Sequence, residues 1–248
     1  LTPIGRPDSA SGGGDRQEDR MGWIRLLRGH RLDPIAGGPP EAIVVVLHDF
    51  GQSTEALRAV AERWAASVPT TAFVLFDSIE QIDPPPCGGA WHPLLDLAAG
   101  AEPLVLDRIV RHLEPLLAPL DASRLVLVGF HHGATVALHL ALRHGWSCAG
   151  VLAFSPLLPQ RLPRCIRIDA KIRLIESLES PHTGHADLRD AVSSLAARGV
   201  DARGVVLAGA ILSDEGVRHG CAYLGELIAT VQRAERFHVL NQETRHAS

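Results

Sequence analysis

Arg124-Leu-Val-Leu-Val-Gly-Phe-His-His-Gly-Ala-Thr-Val-Ala-Leu-His-Leu-Ala-Leu142 decides the fold. Leu125–Val128 is a short continuous apolar run, the pattern of a strand covered on both faces. Ala134, Ala137, Leu138, Ala141 and Leu142 then fall at helical spacing, and His144-Gly145 closes that helix. Gly129-Phe130-His131-His132-Gly133 lies between the two periods. A strand that becomes a helix over so few residues needs a tight corner. Glycines at both ends of the corner, with no Cβ, supply the room.

Outward from this corner the chain alternates strands and helices. Ile43–Leu47 and Ala72–Phe76 read as further buried strands, and Val151–Phe154, Ile172–Ile175 and Gly204–Leu207 as three more strands. Ser53 or Thr54 can cap a helix whose apolar positions are Leu57, Val60, Ala61, Trp64 and Val68. A second helix is expected from Pro103 to Leu117. A third buries Leu188, Val192, Leu195 and Ala196 and stops at Gly199. A last one spans Glu215–Val231. Residues 82–102, with Pro84-Pro85-Pro86, read as a long loop whose prolines stiffen it. Strands alternating with helices give an α/β fold: a mostly parallel central sheet with helices on both faces. Ligands then bind beyond the carboxyl ends of the strands.

Those strand ends resemble the carboxylesterase/lysophospholipase-like family of α/β hydrolases, which includes acyl-protein thioesterases. The likeness covers residues 30–230 and implies the α/β-hydrolase fold. In the family the corner strand ends in Gly-Phe-Ser-Gln-Gly, the nucleophile elbow. Gly129 and Gly133 match its glycines. His131 stands at the serine position and His132 at the glutamine position. Val46-Leu47-His48-Asp49-Phe50-Gly51 is similar to the family's His-Gly-aromatic-Gly segment, where a backbone N–H helps form the oxyanion hole. Asp49 replaces the first glycine, and its carboxylate would repel an oxyanion unless the side chain turned away. Trp91, followed by His92, stands where the family has a Trp-Phe pair near the acyl pocket. The resemblance puts the acid at Ser180 and the histidine at Leu212.

Serine is a useful nucleophile only when a histidine takes its proton and an acid orients that histidine. No such relay can be drawn through His131, Ser180 and Leu212. The expectation is a catalytically degenerate esterase/phospholipase-like pseudoenzyme. It would bind a small apolar or acyl ligand, or a protein partner. An alternative is an active carboxylic-ester or thioester hydrolase rebuilt around His131, with Asp49, Glu179 or Asp214 orienting the imidazole. A second alternative is a metal-binding protein using His131, His132, His48 and Asp49. Adjacent side chains after a strand point in different directions, so no metal and no cofactor are expected. Ser155 and Ser177 also lie near strand ends, but neither is expected in an elbow. His182 and His185 read as residues of a solvated loop.

The chain has 248 residues, 46% of them hydrophobic, enough for one full-sized core. A formal net charge of -4 gives no reason to expect a nucleic-acid partner. No apolar run approaches the ~20 residues of a membrane span. The four cysteines, Cys87, Cys148, Cys165 and Cys221, include no CxxC pair, against a zinc ribbon or a dense disulfide framework. No signal-peptide pattern opens the sequence, so a cytoplasmic location is expected. Residues 1–20 are polar and read as a disordered tail, with Met21 as a candidate translation start. Residues 21–236 read as a single domain and 237–248 as a flexible tail. A monomer or homodimer is expected from the family.

Overall fold

The computed structural model of the chain describes residues 29–49, 51–77, 80–81, 89–90, 102–118, 120–143, 147–156, 170–179 and 185–246. Its strands, in chain order, are β1 (Gly29–Leu32), β2 (Ala42–Leu47), β3 (Thr71–Phe76), β4 (Glu80–Gln81), β5 (Gly89–Ala90), β6 (Leu125–Phe130), β7 (Gly150–Phe154), β8 (Lys171–Ser177) and β9 (Ala202–Leu207). The helices are α1 (Thr54–Ser67), α2 (Glu102–Leu117), α3 (His132–Arg143), α4 (His185–Ala196) and α5 (Asp214–His246). β4 and β5 pair with each other. The other seven strands form one sheet in the order β1-β3-β2-β6-β7-β8-β9. Every neighbouring pair from β3 to β9 is parallel, and β1 joins β3 antiparallel.

Side chains alternate across a strand, so the apolar runs feed two cores at once. Val45, Leu47, Leu127, Ala153 and Leu174 face one way, onto Leu106 of α2, Ala137 of α3 and Leu188 of α4. Val44, Val46, Val126, Val128, Leu152 and Ile175 face the other way, onto Leu57 and Trp64 of α1 and Leu224 and Leu227 of α5. This is the mostly parallel sheet with helices on both faces expected from the alternation of periods, and it agrees with the α/β-hydrolase fold that the resemblance implies. The second core holds an aromatic stack. Trp64 lies 6.0 Å from Phe130 and 5.8 Å from Phe154, centroid to centroid, and Phe130 lies 4.6 Å from Phe154. The Trp64 indole N–H donates to the Val217 carbonyl at 3.1 Å.

β8 places Arg173 in this otherwise apolar face, and its side chain is fully buried. Its guanidinium donates to Asp201 Oδ1 at 3.0 Å and to Glu226 Oε1 of α5 at 2.5 Å. It also reaches the carbonyls of Ile172 and Asp201. A buried cation is tolerated only when its donors are met in this way.

Several elements depart from the sequence reading, and β5 (Gly89–Ala90), paired with β4, falls inside the stretch 82–102 that reads as a loop. β1, Gly-His-Arg-Leu, has no apolar run, yet it pairs along β3 from Gly29↔Phe76 to Leu32↔Phe73. An edge strand has one neighbour and a solvated side, so continuous apolarity is not required of it. α5 continues past Val231 to His246, through what reads as a polar tail. Residues 232–246 contain no glycine or proline and are rich in good helix formers. Among the described residues, no helix is long and apolar enough to cross a membrane.

Candidate functional site

The carboxyl ends of β2, β6, β7 and β8 lie side by side in the sheet, and the residues just beyond them form the candidate site. His131 follows β6 with φ 44°, in the left-handed region that non-glycine residues seldom enter. Its amide donates to the Phe154 carbonyl at 2.8 Å, which carries the β6–β7 pairing one residue past the strand. The Thr135 amide and hydroxyl both reach the His131 carbonyl, at 3.0 and 3.1 Å, and fix the first turn of α3.

The two glycines are required by close approach. A Cβ on Gly133 would lie 2.3 Å from the Leu47 carbonyl oxygen and 2.6 Å from that of His48. A Cβ on Gly129 would lie 2.4 Å from both the Gly133 carbonyl oxygen and the Ala134 nitrogen. Each contact is with backbone, which cannot move aside without shifting an element. α3 therefore starts pressed against the end of β2, and the segment after β2 sits over the corner.

That segment is tied down. His48 is buried, and its Nδ1 lies 2.6 Å from the Asp49 carbonyl oxygen. A carbonyl only accepts, so Nδ1 carries the hydrogen. Burial above all lowers the His48 pKa, outweighing the Asp49 carbonyl and the Asp77 and Asp49 carboxylates, which raise it. The imidazole is neutral at pH 7. The Gln52 amide donates to the same Asp49 carbonyl at 3.2 Å. Ser53 occupies the N-cap of α1 but makes no side-chain cap; instead Asp77, after β3, accepts from the Thr54 amide at 3.3 Å and hydroxyl at 2.8 Å. The Asp49 side chain turns toward the corner, and Oδ1 accepts from the His132 amide at 3.4 Å.

A second corner escaped the sequence reading. Ser155, after β7, has φ 45°, and its amide donates to the Ile175 carbonyl at 2.7 Å. Its buried hydroxyl donates to Glu176 Oε1 at 2.7 Å, and the Ser177 amide donates to the same oxygen at 2.9 Å. Glu176 is fully buried, and its Oε2 has no hydrogen-bond partner among the described residues. The available signal was an acid, Glu176, directly after Leu174 and Ile175, one strand over from a serine that ends the apolar run Val151–Phe154.

The remaining candidates are dispersed. Asp214 pairs with Arg63 of α1 at 3.0 Å. Glu179 is exposed, and its amide donates to Ser177 Oγ at 3.0 Å. Leu212 is exposed beyond β9. Phe50, Ser180, Trp91, His92, His182 and Pro84-Pro85-Pro86 lie outside the described residues. Among the described residues, no carboxylate makes an ion pair or hydrogen bond with the His131 imidazole. Nor do three or more His, Cys, Asp or Glu converge there as metal ligands.

Residues 35–164 match the family model described as phospholipase/carboxylesterase. The chain belongs to that family. Among solved structures it is similar to the esterase PE8, with 29% identity, a TM-score of 0.69, and coverage of 81% of this chain and 99% of that one. It shares its fold with the carboxylesterase of Bacillus cereus, with 12% identity, a TM-score of 0.62 and coverage of 84% and 99%. It also shares it with a carboxylesterase from Mesorhizobium loti, with 17% identity, a TM-score of 0.62 and coverage of 79% and 93%. No protein of curated function matches the sequence. The match to the phospholipase/carboxylesterase model contains the segment His48–Gly51 and the corner Gly129–Gly133. It ends before Ser180 and Leu212, so those two positions lack the family anchor that the corner has.

Proposed function

We propose that this phospholipase/carboxylesterase family member is catalytically degenerate: it keeps the fold and the strand-end frame without hydrolysing esters, and serves as a binding protein for a small apolar ligand or a protein partner. One observation carries this reading. The left-handed corner between Gly129 and Gly133 holds His131, and among the described residues no carboxylate is paired with its imidazole. An elbow presents a serine hydroxyl to a histidine that takes its proton. An imidazole in that place has no hydroxyl to offer. As a nucleophile in its own right it needs an orienting acid, and none is paired with it among the described residues. Asp214 lies exposed beside Arg63 and Asp49 Oδ1 is directed at the His132 amide, which argues against a site rebuilt on either.

Short-chain p-nitrophenyl esters and acyl thioesters test the reading. The wild-type protein is expected to hydrolyse them no faster than buffer, and His131→Ala to behave identically. Turnover by the wild type that disappears in His131→Ala would overturn it.

A further inference from the structure

The amide of His132, the residue after His131, is the group that an oxyanion would need, and in this chain a carboxylate already sits on it. We propose that Asp49 is a specificity-determining residue. It fills the anion position at the start of α3 and so bars ligands that present a carboxylate or carbonyl oxygen there. The inference rests on the binding role proposed above and narrows its ligand class to neutral, apolar molecules.

Geometry carries the inference. Asp49 Oδ1 lies 3.4 Å from the His132 nitrogen. A ligand oxygen bonded to the same N–H would sit ~2.7–3.1 Å from that nitrogen. It would then be in contact with Oδ1 and close to its negative charge. Like charges at one partly buried position disfavour each other strongly. The carboxylate is also not on a free loop. The His48 ring holds the Asp49 carbonyl at 2.6 Å and the Gln52 amide holds it at 3.2 Å. His48 offers no compensating positive charge, because burial keeps it neutral and its Nδ1–H is directed at that carbonyl. The positive end of the α3 dipole, which would attract a bound anion, instead favours Asp49 itself.

The test follows the His132 amide of the full-length ¹⁵N-labelled protein by NMR during titration with sodium acetate, with sodium chloride as the ionic control. The wild-type resonance is expected to move no more with acetate than with chloride. In Asp49→Gly it should shift saturably, with acetate affinity raised by at least about tenfold. Asp49→Ala should do the same, and it covers the case in which glycine loosens the loop. A wild-type His132 amide that saturates with acetate as the variants do would overturn the proposal. So would an unresponsive amide in both variants when their spectra are otherwise folded. The readout involves no turnover, so ester hydrolysis by the wild type would strike the degenerate-enzyme reading and leave the Asp49 result to be judged on its own.

Discussion

At the scale of single residues, the corner keeps a strained backbone around a side chain that needs none. Left-handed backbone costs an L-residue about 1–2 kcal/mol, and glycine escapes that cost. His131 bears it at φ 44°. Its imidazole has no hydrogen bond or ion pair among the described residues to offset it. His131→Gly is therefore expected to raise the unfolding free energy by roughly 1 kcal/mol, as read from urea denaturation. A loss of that size would show instead that the imidazole packs for stability. Gly129 and Gly133 explain why the strain persists. Their missing Cβ atoms let α3 close onto β2, and with both ends of the corner fixed, whatever residue occupies position 131 inherits its backbone angles.

At the scale of elements, the buried Arg173 cluster joins the starts of β8 and β9 to the middle part of α5. The two sides of this cluster are unequal. Arg173 is wholly buried, whereas the Asp201 and Glu226 side chains retain 44% and 28% of their exposure. Removing Glu226 leaves the buried cation with Asp201 and two backbone carbonyls but one carboxylate short, and Glu226→Ala is expected to cost about 2–3 kcal/mol. Arg173→Met leaves two carboxylates that water can reach, and it should cost clearly less. Urea midpoints at pH 7 compare them; equal losses would contradict the asymmetry. Hydrogen bonds from Arg173 are the leading cause that holds both carboxyls below their ordinary values of 3.8 for Asp201 and 4.5 for Glu226. Groups with lowered folded values contribute stability above their ordinary values and lose it as pH falls through the folded ones. The wild type should thus lose stability on acidification below those values, and Arg173→Met should show a shallower acid limb.

At the scale of the whole molecule, Trp64 connects the site to both helices of one face. It stacks on Phe130 and Phe154, the residues just before the two left-handed corners, and it bonds to Val217 in α5. Gly220 of α5 leaves room for the indole, since a Cβ there would lie 2.7 Å from the ring. Trp64→Ala is expected to cost about 3–5 kcal/mol in urea denaturation. A cost under about 1 kcal/mol would mean that the stack does not hold these elements together. The order of strands and helices, the two-sided sheet and the Gly129–Gly133 corner were all legible in the sequence. Each depends on local periodicity or on a backbone that demands glycine. β1 and the far end of α5 were not, because an edge strand needs no apolar run and the end of α5 carries no stop signal. The site's polar contacts were legible only in part. Asp49 stood out as a carboxylate in place of a glycine, but where it turned was open. That it meets the His132 amide, that Glu176 is buried against Ser155, and that Asp214 is claimed by Arg63 were decided by tertiary structure. These partners lie 83, 21 and 151 positions apart in the chain. They meet because the parallel sheet brings distant strand ends to one edge and packs α1 beside the start of α5, an arrangement that side-chain chemistry follows rather than sets.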